Sequence, residues 1–462
     1  MPGPITIAIV AGSAADQTDP MPTIRRPSWT ATDREILRLA VPALGALTAE
    51  PLYVLADTAV VGHIGTPELG GLALASSLLL VAFALFIFLA YGTTASVARL
   101  LGAGEHARAA HQAVQGVWLA LFVGVLAAIV GLFTAESLIS LLGGEGEIAT
   151  NALVYFRISL LGVPPMLVAL AGVGYLRGLQ DTKRPFYVAL ATAIFNLALE
   201  LVLINGFGFG IGASALSTVF AHWMSAGLFT WWIAKAVSIH GVKLTPDART
   251  ITRLAGAGLE LMMRTTAMQG GLLVTLGVAA RIGDDDLAAH EVAFQLWSVL
   301  ALSLDAVAIA AQALIGRALG AGDAEEARRV GRRVVQWGWW AGVGLAVVVL
   351  ATSPILPNIF SNDPAVTGLA AFLLIHVALW QPLNGIAFAL DGILIGAGDL
   401  RFLAFAMAAA SAVLIAGGLL VLRLDLGIGW LWGAIGIWMT MRAVALLHRF
   451  RGDAWQVTGA VR

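Results

Sequence analysis

The chain has 462 residues; 59% are hydrophobic, 12% are charged and the formal net charge is −1. A soluble domain carries roughly 25% charged residues, so a mean hydropathy of +0.87 excludes a single soluble core and makes bilayer hydrocarbon the main solvent. The near-zero charge supplies no field for nucleic acid, and the absence of Cys excludes disulfides, thiolate metal sites and Cys nucleophiles.

The first segment, residues 1–35, reads as a flexible cytoplasmic tail. Its short apolar run at 5–10 lacks a basic flank and makes a poor signal peptide. Met21 offers an alternative start. Apolar segments then follow one another at about 36–62, 68–98, 112–134, 149–176, 185–205, 211–236, 251–280, 287–316, 334–356, 365–396, 401–422 and 427–448. Each is long enough for a crossing at ~20 residues. An all-α polytopic membrane protein of about twelve transmembrane helices is expected.

The basic residues alternate with the breaks. One set holds Arg34, Arg38, Arg99, Arg108, Arg177, Lys183, Arg184, Lys235, Lys243, Arg317, Arg328, Arg333, Arg401, Arg442 and Arg449. The other set holds only Arg281 and Arg423, beside Glu68, Glu136, Glu145, Glu147, Asp284, Asp285, Asp286 and Asp363. The positive-inside rule then puts both termini in the cytoplasm of a multi-pass plasma-membrane protein.

A repeat is superimposed on this pattern. At one offset of 218 residues, Ile64-Gly65 falls on Ile282-Gly283, Arg99-x-Leu-Gly-Ala-Gly on Arg317-x-Leu-Gly-Ala-Gly, Pro164 on Pro382 and Asp181 on Asp399. Six spans per copy give both copies the same orientation. Two pseudo-symmetric six-helix lobes, 36–238 and 251–450, are expected, with a cytoplasmic linker at 239–250, a cytoplasmic tail at 451–462 and a substrate cleft between the lobes.

Ionisable side chains at mid-span are costly and point to function. In the first span Glu50 and Asp57 are seven residues apart, so they share a helix face at about 10 Å. Pro42 and Pro51 make the same helix a hinge candidate. In the fifth span Asn196 and Glu200 share a face at i, i+4, and Ser217 and Thr218 of the sixth reach the same depth if the two helices pair. A proton or Na⁺ site is one reading of this set, and a structural hydrogen-bond network is the other. The second half is different: Asp57 falls on Thr275 and Glu200 on Gly418, so the acids are not duplicated. Its cavity candidates are Asp305, Gln312, Asp391, Glu260, Arg264 and Met263. Glu260 and Arg264 at i, i+4 suggest a neutralising pair. Met262, Met263 and Met268 either line a promiscuous cavity or simply pack. His63 and His290 read as interfacial histidines, and the three aspartates at 284–286 as a solvated outer loop. No P-loop, Gly-x-Ser-x-Gly or His-Glu-x-x-His motif is present, so no catalytic set and no metal centre is expected.

The motifs Leu-Ala-Asp57-Thr-Ala-Val-Val-Gly-His63-Ile-Gly, Leu-Arg177-Gly-Leu-Gln-Asp181-Thr, Ala-Ala-His290-Glu, Gln381-Pro-Leu-Asn and Asp391-Gly-Ile-Leu-Ile-Gly-Ala-Gly-Asp399 together resemble the multidrug and toxic compound extrusion (MATE) family, in its DinF-like branch. The likeness spans residues 37–446. It implies a V-shaped pair of lobes that exports small amphipathic, often cationic, compounds by alternating access in exchange for H⁺ or Na⁺. It also implies that Asp57, Asn196, Glu200 and Thr218 are the coupling residues and that Pro42 is the bend. Two departures stand out. The second acid is Glu200 where the family has Asp, and residues 166–178 lack the asparagine of a related archaeal pattern. Losing one oxygen ligand favours H⁺ over Na⁺, since hard cations need about six. No organic cofactor is expected, and the chain is expected to act as a monomer. A flippase for a lipid-linked precursor is the alternative within the same superfamily. An intramembrane enzyme or channel is the alternative of another class.

Overall fold

A computed structural model describes residues 29–460, in which helices are the only regular structure. The expected tail therefore lies largely outside the described residues. Twelve long rods make up most of the described residues. In the first half they are α1 (Ala31–Gly62), α2 (Thr66–Gly102, with a turn at Ile87), α3 (His106–Leu141), α4 (Gly146–Gly178), α5 (Lys183–Leu201) and α6 (Ile211–His240). In the second half they are α7 (Ala248–Ile282), α8 (Asp284–Gly320), α9 (Ala324–Thr352), α10 (Pro364–Gly396), α11 (Leu400–Arg423) and α12 (Ile428–Arg451). Ten of them have the length and apolarity of a membrane crossing. The other two, α6 and α7, are as long but carry more polar side chains, among them Ser214, Ser217, Thr218, Glu260 and Arg264.

Several helices begin before the expected spans, among them His106–Leu141 and Ala324–Thr352, and capping explains two of the differences. The first helix begins at Ala31, inside the expected tail, because Thr30 and Asp33 form a capping box that satisfies its first amides. The three aspartates at 284–286 form the opening turn of α8, not a loop. Carboxylates are favoured there by the helix dipole. Despite Pro42 and Pro51, α1 runs unbroken to Gly62.

The repeat is a packing repeat as well as a sequence repeat. Thr66–Gly102 and Asp284–Gly320 are related by the offset seen in the sequence, and so are Gly146–Gly178 and Pro364–Gly396. Packing follows the same rule: α2 on α4 and α8 on α10, α3 on α4 and α9 on α10, α1 on α5 and α7 on α11, α4 on α6 and α10 on α12. Even single contacts are duplicated. A Cβ on Gly124 would lie 2.6 Å from Pro164 Cα, and one on its equivalent Gly342 would lie 2.7 Å from Pro382 Cα. Small residues thus let a helix backbone ride over a proline twice.

The lobes meet where α2 and α1 pack on α8, at the arginine-rich end. A Cβ on Gly102 would stand 2.0 Å from Arg317 O, and one on Gly320 would stand 2.0 Å from Arg99 O. These reciprocal crossings lie about the pseudo-two-fold axis. The Phe88–Gly102 half of α2 carries the packing on α8 and is almost wholly buried. In the Thr66–Phe86 half only Gly71, Leu72 and Ala75 are buried. Likewise α8 is buried nearly without interruption from Leu304 to Gly320, but in its first half only at Ala289, His290 and Ala293. The lobes are closed together at the arginine-rich end and part towards the other.

Candidate ion-coupling site

Deep in the first lobe, α1, α5 and α6 bring together the polar residues their apolar faces would otherwise exclude. Asp57 is 4% exposed and accepts a hydrogen bond from the Ser214 hydroxyl. Glu200 is fully buried and lies within interaction range of Asp57, while neither of its carboxylate oxygens has a settled hydrogen-bond donor. Asn196 Nδ2 donates to Thr218 Oγ1 at 3.0 Å and more loosely to Ser217 Oγ at 3.4 Å. Ser217 in turn donates to Ser214 O at 2.8 Å. The i, i+4 spacing on α5 and the packing of α5 on α6 therefore place Asn196, Glu200 and Thr218 in one network with Asp57.

Three members were not singled out from sequence: Ser214, Tyr53 and Tyr155. Ser214 carries a signal, since it lies one turn before Thr218 on the same face of α6. The two tyrosines lie within electrostatic reach of both Asp57 and Glu200. Tyr53 is one turn before Asp57 on α1, between it and Glu50. Glu50 is half-buried, two turns from Asp57. All three acids share the interior side of the lobe, and no arginine or lysine pairs with any of them among the described residues.

The second lobe handles its acids differently. Glu260 does not neutralise Arg264, contrary to expectation. The Arg264 guanidinium turns across to Asp391 of α10, and Arg442 of α12 donates to the same Asp391 oxygen at 3.0 Å. The reason is burial: Arg264 sits in the helix interface, where a fully desolvated carboxylate outweighs a half-exposed one as a partner. Arg442 is itself 1% exposed and lies 4.8 Å over the Trp438 ring. Counting it with the loop arginines missed this inward turn. Arg177, another residue assigned to an inner break, is also buried and faces Tyr91 and Asp305. Asp305 accepts a hydrogen bond from Tyr91 of the opposite lobe at 3.3 Å. Gln312 is buried nearby on α8 without contacting it, and its Oε1 is unpartnered. Met263 is half exposed. Of the two histidines, His63 is exposed at the end of α1 and bonded to Ala59 O, while His290 is 1% exposed. His290 stacks on Phe294 and meets the edge of Trp432, so it belongs to the core and not to an interface.

Two repeat-related six-helix lobes of the same orientation, parted at one end and holding inside one of them a carboxylate cluster with no basic partner among the described residues, define a multi-pass membrane transporter of the parallel-repeat kind. The MatE family model matches residues 42–202 and 261–418. The chain belongs to the MATE family, whose members are transporters and not enzymes. It is 32% identical to Protein DETOXIFICATION 44, chloroplastic, of Arabidopsis thaliana, over 92% of this chain and 83% of that one. It is 28% identical to DNA damage-inducible protein F of Escherichia coli K12, over 92% of this chain and 94% of that one. Its fold matches a structure described as an outward-facing multidrug resistance MATE transporter of the MOP superfamily. That match has a TM-score of 0.83 at 21% identity and covers 92% of this chain and 97% of that one.

Proposed function

We propose that the chain is an H⁺-coupled antiporter that exports small amphipathic or cationic compounds by alternating access, as a monomer in the plasma membrane with both termini in the cytoplasm. The observation that carries this reading is the Asp57–Glu200 pair: two carboxylates facing each other out of water, with neutral partners and no counter-ion. Like charges that close are costly together in a low dielectric, so the pair is suited to take up one proton. Gaining or losing that proton changes the charge inside the lobe by a whole unit. It also rearranges the bonds to Ser214 on α6, and α1 carries the change towards Pro42 and Pro51. If proton entry and substrate exit bias one element in opposite directions, exchange follows.

Positive-inside orientation makes the arginine-rich end cytoplasmic, and in this reading the closed end seals the cytoplasmic side while the parted end faces outward. The flippase alternative needs free guanidinium groups for a pyrophosphate, and the pairing of Arg264 and Arg442 with Asp391 leaves it little support. Transport in proteoliposomes with ΔpH and a Na⁺ gradient imposed separately tests the proposal. Export driven by ΔpH alone is expected; export driven by Na⁺ alone would overturn it.

A further inference from the structure

Arg99 and Arg317 are equivalent in the repeat, and each crosses to the other lobe. Arg317 Nη1 donates to Gln180 Oε1 at 2.8 Å. Arg99 Nη2 donates to Ala397 O at 2.7 Å, in the equivalent turn. At Arg99, however, there is more. The segment that follows α12, residues 452–460, folds back over the closed end. Its Trp455 is fully buried, stacks on Phe450 at 5.2 Å and donates to Phe450 O at 2.9 Å, which anchors the segment to the second lobe. Arg328 of α9 holds Gly452 O at 3.0 Å and the Asp453 carboxylate at 2.6 Å. Beyond this anchor Arg99 of the first lobe donates to Val457 O at 2.9 Å and to Gly459 O at 3.0 Å. Gly459 N closes back on Leu319 O at 2.9 Å, and Ala460 packs on the first-lobe cluster around Val97 and Leu100.

We infer that residues 452–460 are a latch: they travel with the second lobe, and they grip the first lobe only while the arginine-rich end is closed. The segment has no counterpart at Arg317, because the chain after α6 runs instead along α3. Parting the lobes at this end separates Trp455 from Arg99 and breaks both carbonyl contacts at once. A contact made in one state alone shifts the balance between states by its whole differential strength. Charge-assisted bonds to a guanidinium are the stronger kind. The latch therefore favours the closed arginine-rich end and slows its opening. It adds to the two symmetric arginine contacts.

The inference rests on the alternating-access reading, and one experiment separates the two. Ala107 and Glu325 are exposed, repeat-equivalent positions on opposite lobes at the arginine-rich end. In a chain without native Cys, Ala107→Cys and Glu325→Cys take spin labels cleanly. Distance distributions are then recorded on the full chain in nanodiscs, on a variant lacking residues 453–462 and on Arg99→Lys. A rise of roughly ten-fold in the long-to-short population ratio on truncation, and a smaller rise in Arg99→Lys, is expected. If two populations are present but their ratio is the same in all three proteins, the latch is wrong while alternating access stands. If every protein shows one unchanging distance at every pH and substrate concentration, alternating access fails and the latch with it. Should the truncated chain not fold, Trp455→Ala in the full chain replaces it, with the same outcomes read in the same way.

Discussion

The two lobes share a fold but treat buried charge in opposite ways. In the first, Asp57 and Glu200 face each other among hydroxyl and amide groups, with no basic residue paired to either among the described residues. In the second, the positions equivalent to them hold Thr275 and Gly418, and the buried Asp391 is tied by Arg264 and Arg442 together. Two guanidiniums balance the Asp391 charge inside the second lobe, whereas no basic group among the described residues balances Asp57 or Glu200 in the first. Duplicated helices thus supply the frame twice, and the balance of buried charge differs between the copies.

The contrast breaks most visibly at Asp57. Asp57→Asn keeps the shape and one acceptor but cannot titrate, so ΔpH-driven export in proteoliposomes is expected to fall to the protein-free background while the protein is still produced. Wild-type exchange by that variant would remove the proton site from the first lobe. Next comes Asp391→Asn, which leaves two buried guanidiniums with a neutral partner. It should cost about 3–5 kcal/mol of stability in thermal unfolding, as broken buried ion pairs do. Replacing all three residues together, by Leu at 391 and Met at 264 and 442, should recover most of that loss. A triple variant no more stable than the single one would show that the triad does more than balance charge.

A smaller effect sharpens the first-lobe half of the comparison. In the Asp57→Asn background, Glu200→Gln should add little further loss of export, since residues that act as a unit are strongly non-additive. Independent, multiplying losses in the double-mutant cycle would split the pair into two sites. The smallest expected change is Ser214→Ala. It removes one hydrogen bond to Asp57, worth about 1–2 kcal/mol, and should slow exchange several-fold without abolishing it. Unchanged exchange would place the Ser214 hydroxyl outside the coupling network.

Much of the frame is legible in the amino-acid sequence. Spans of unbroken apolar residues set the helices, because a backbone in hydrocarbon has no other way to satisfy its amides. The offset that matched Arg99 to Arg317 also matched their helices and the glycine crossings beside them. Asn196, Glu200 and Thr218 could be placed together because helical spacing and one hairpin were enough. What was missed needed distant partners. Arg264 and Asp391 are bonded across 127 residues, and nothing in the local pattern separates that pairing from the i, i+4 alternative with Glu260. Counting charges near span ends assigned Arg177 and Arg442 to water, because a long side chain near a helix end can snorkel outward or fold inward. Only the packing around it decides. The same holds for His290, whose aromatic partner Trp432 comes from the last helix.

The strand of chain that joins the lobes has little slack. Between His240 and Ala248, Trp118 Nε1 donates to Leu244 O at 2.8 Å, Gln115 Nε2 to Thr245 O at 3.0 Å, and Asp247 N to Gln115 Oε1 at 2.8 Å. Asp247 then caps α7, its carboxyl held below the usual range chiefly by the Thr250 hydroxyl. The tether is thus glued along α3 up to the first residue of the helix it delivers. On the opposite flank the tie is non-covalent: the Asp33 carboxylate is gripped by Arg333 and Trp337, and the Trp29 ring meets the edge of Trp337. One flank is fastened by the covalent chain and the other by an ion pair that can let go. The lobes should therefore swing like a door hung on the α3–α7 side, opening widest where Asp33 releases Arg333.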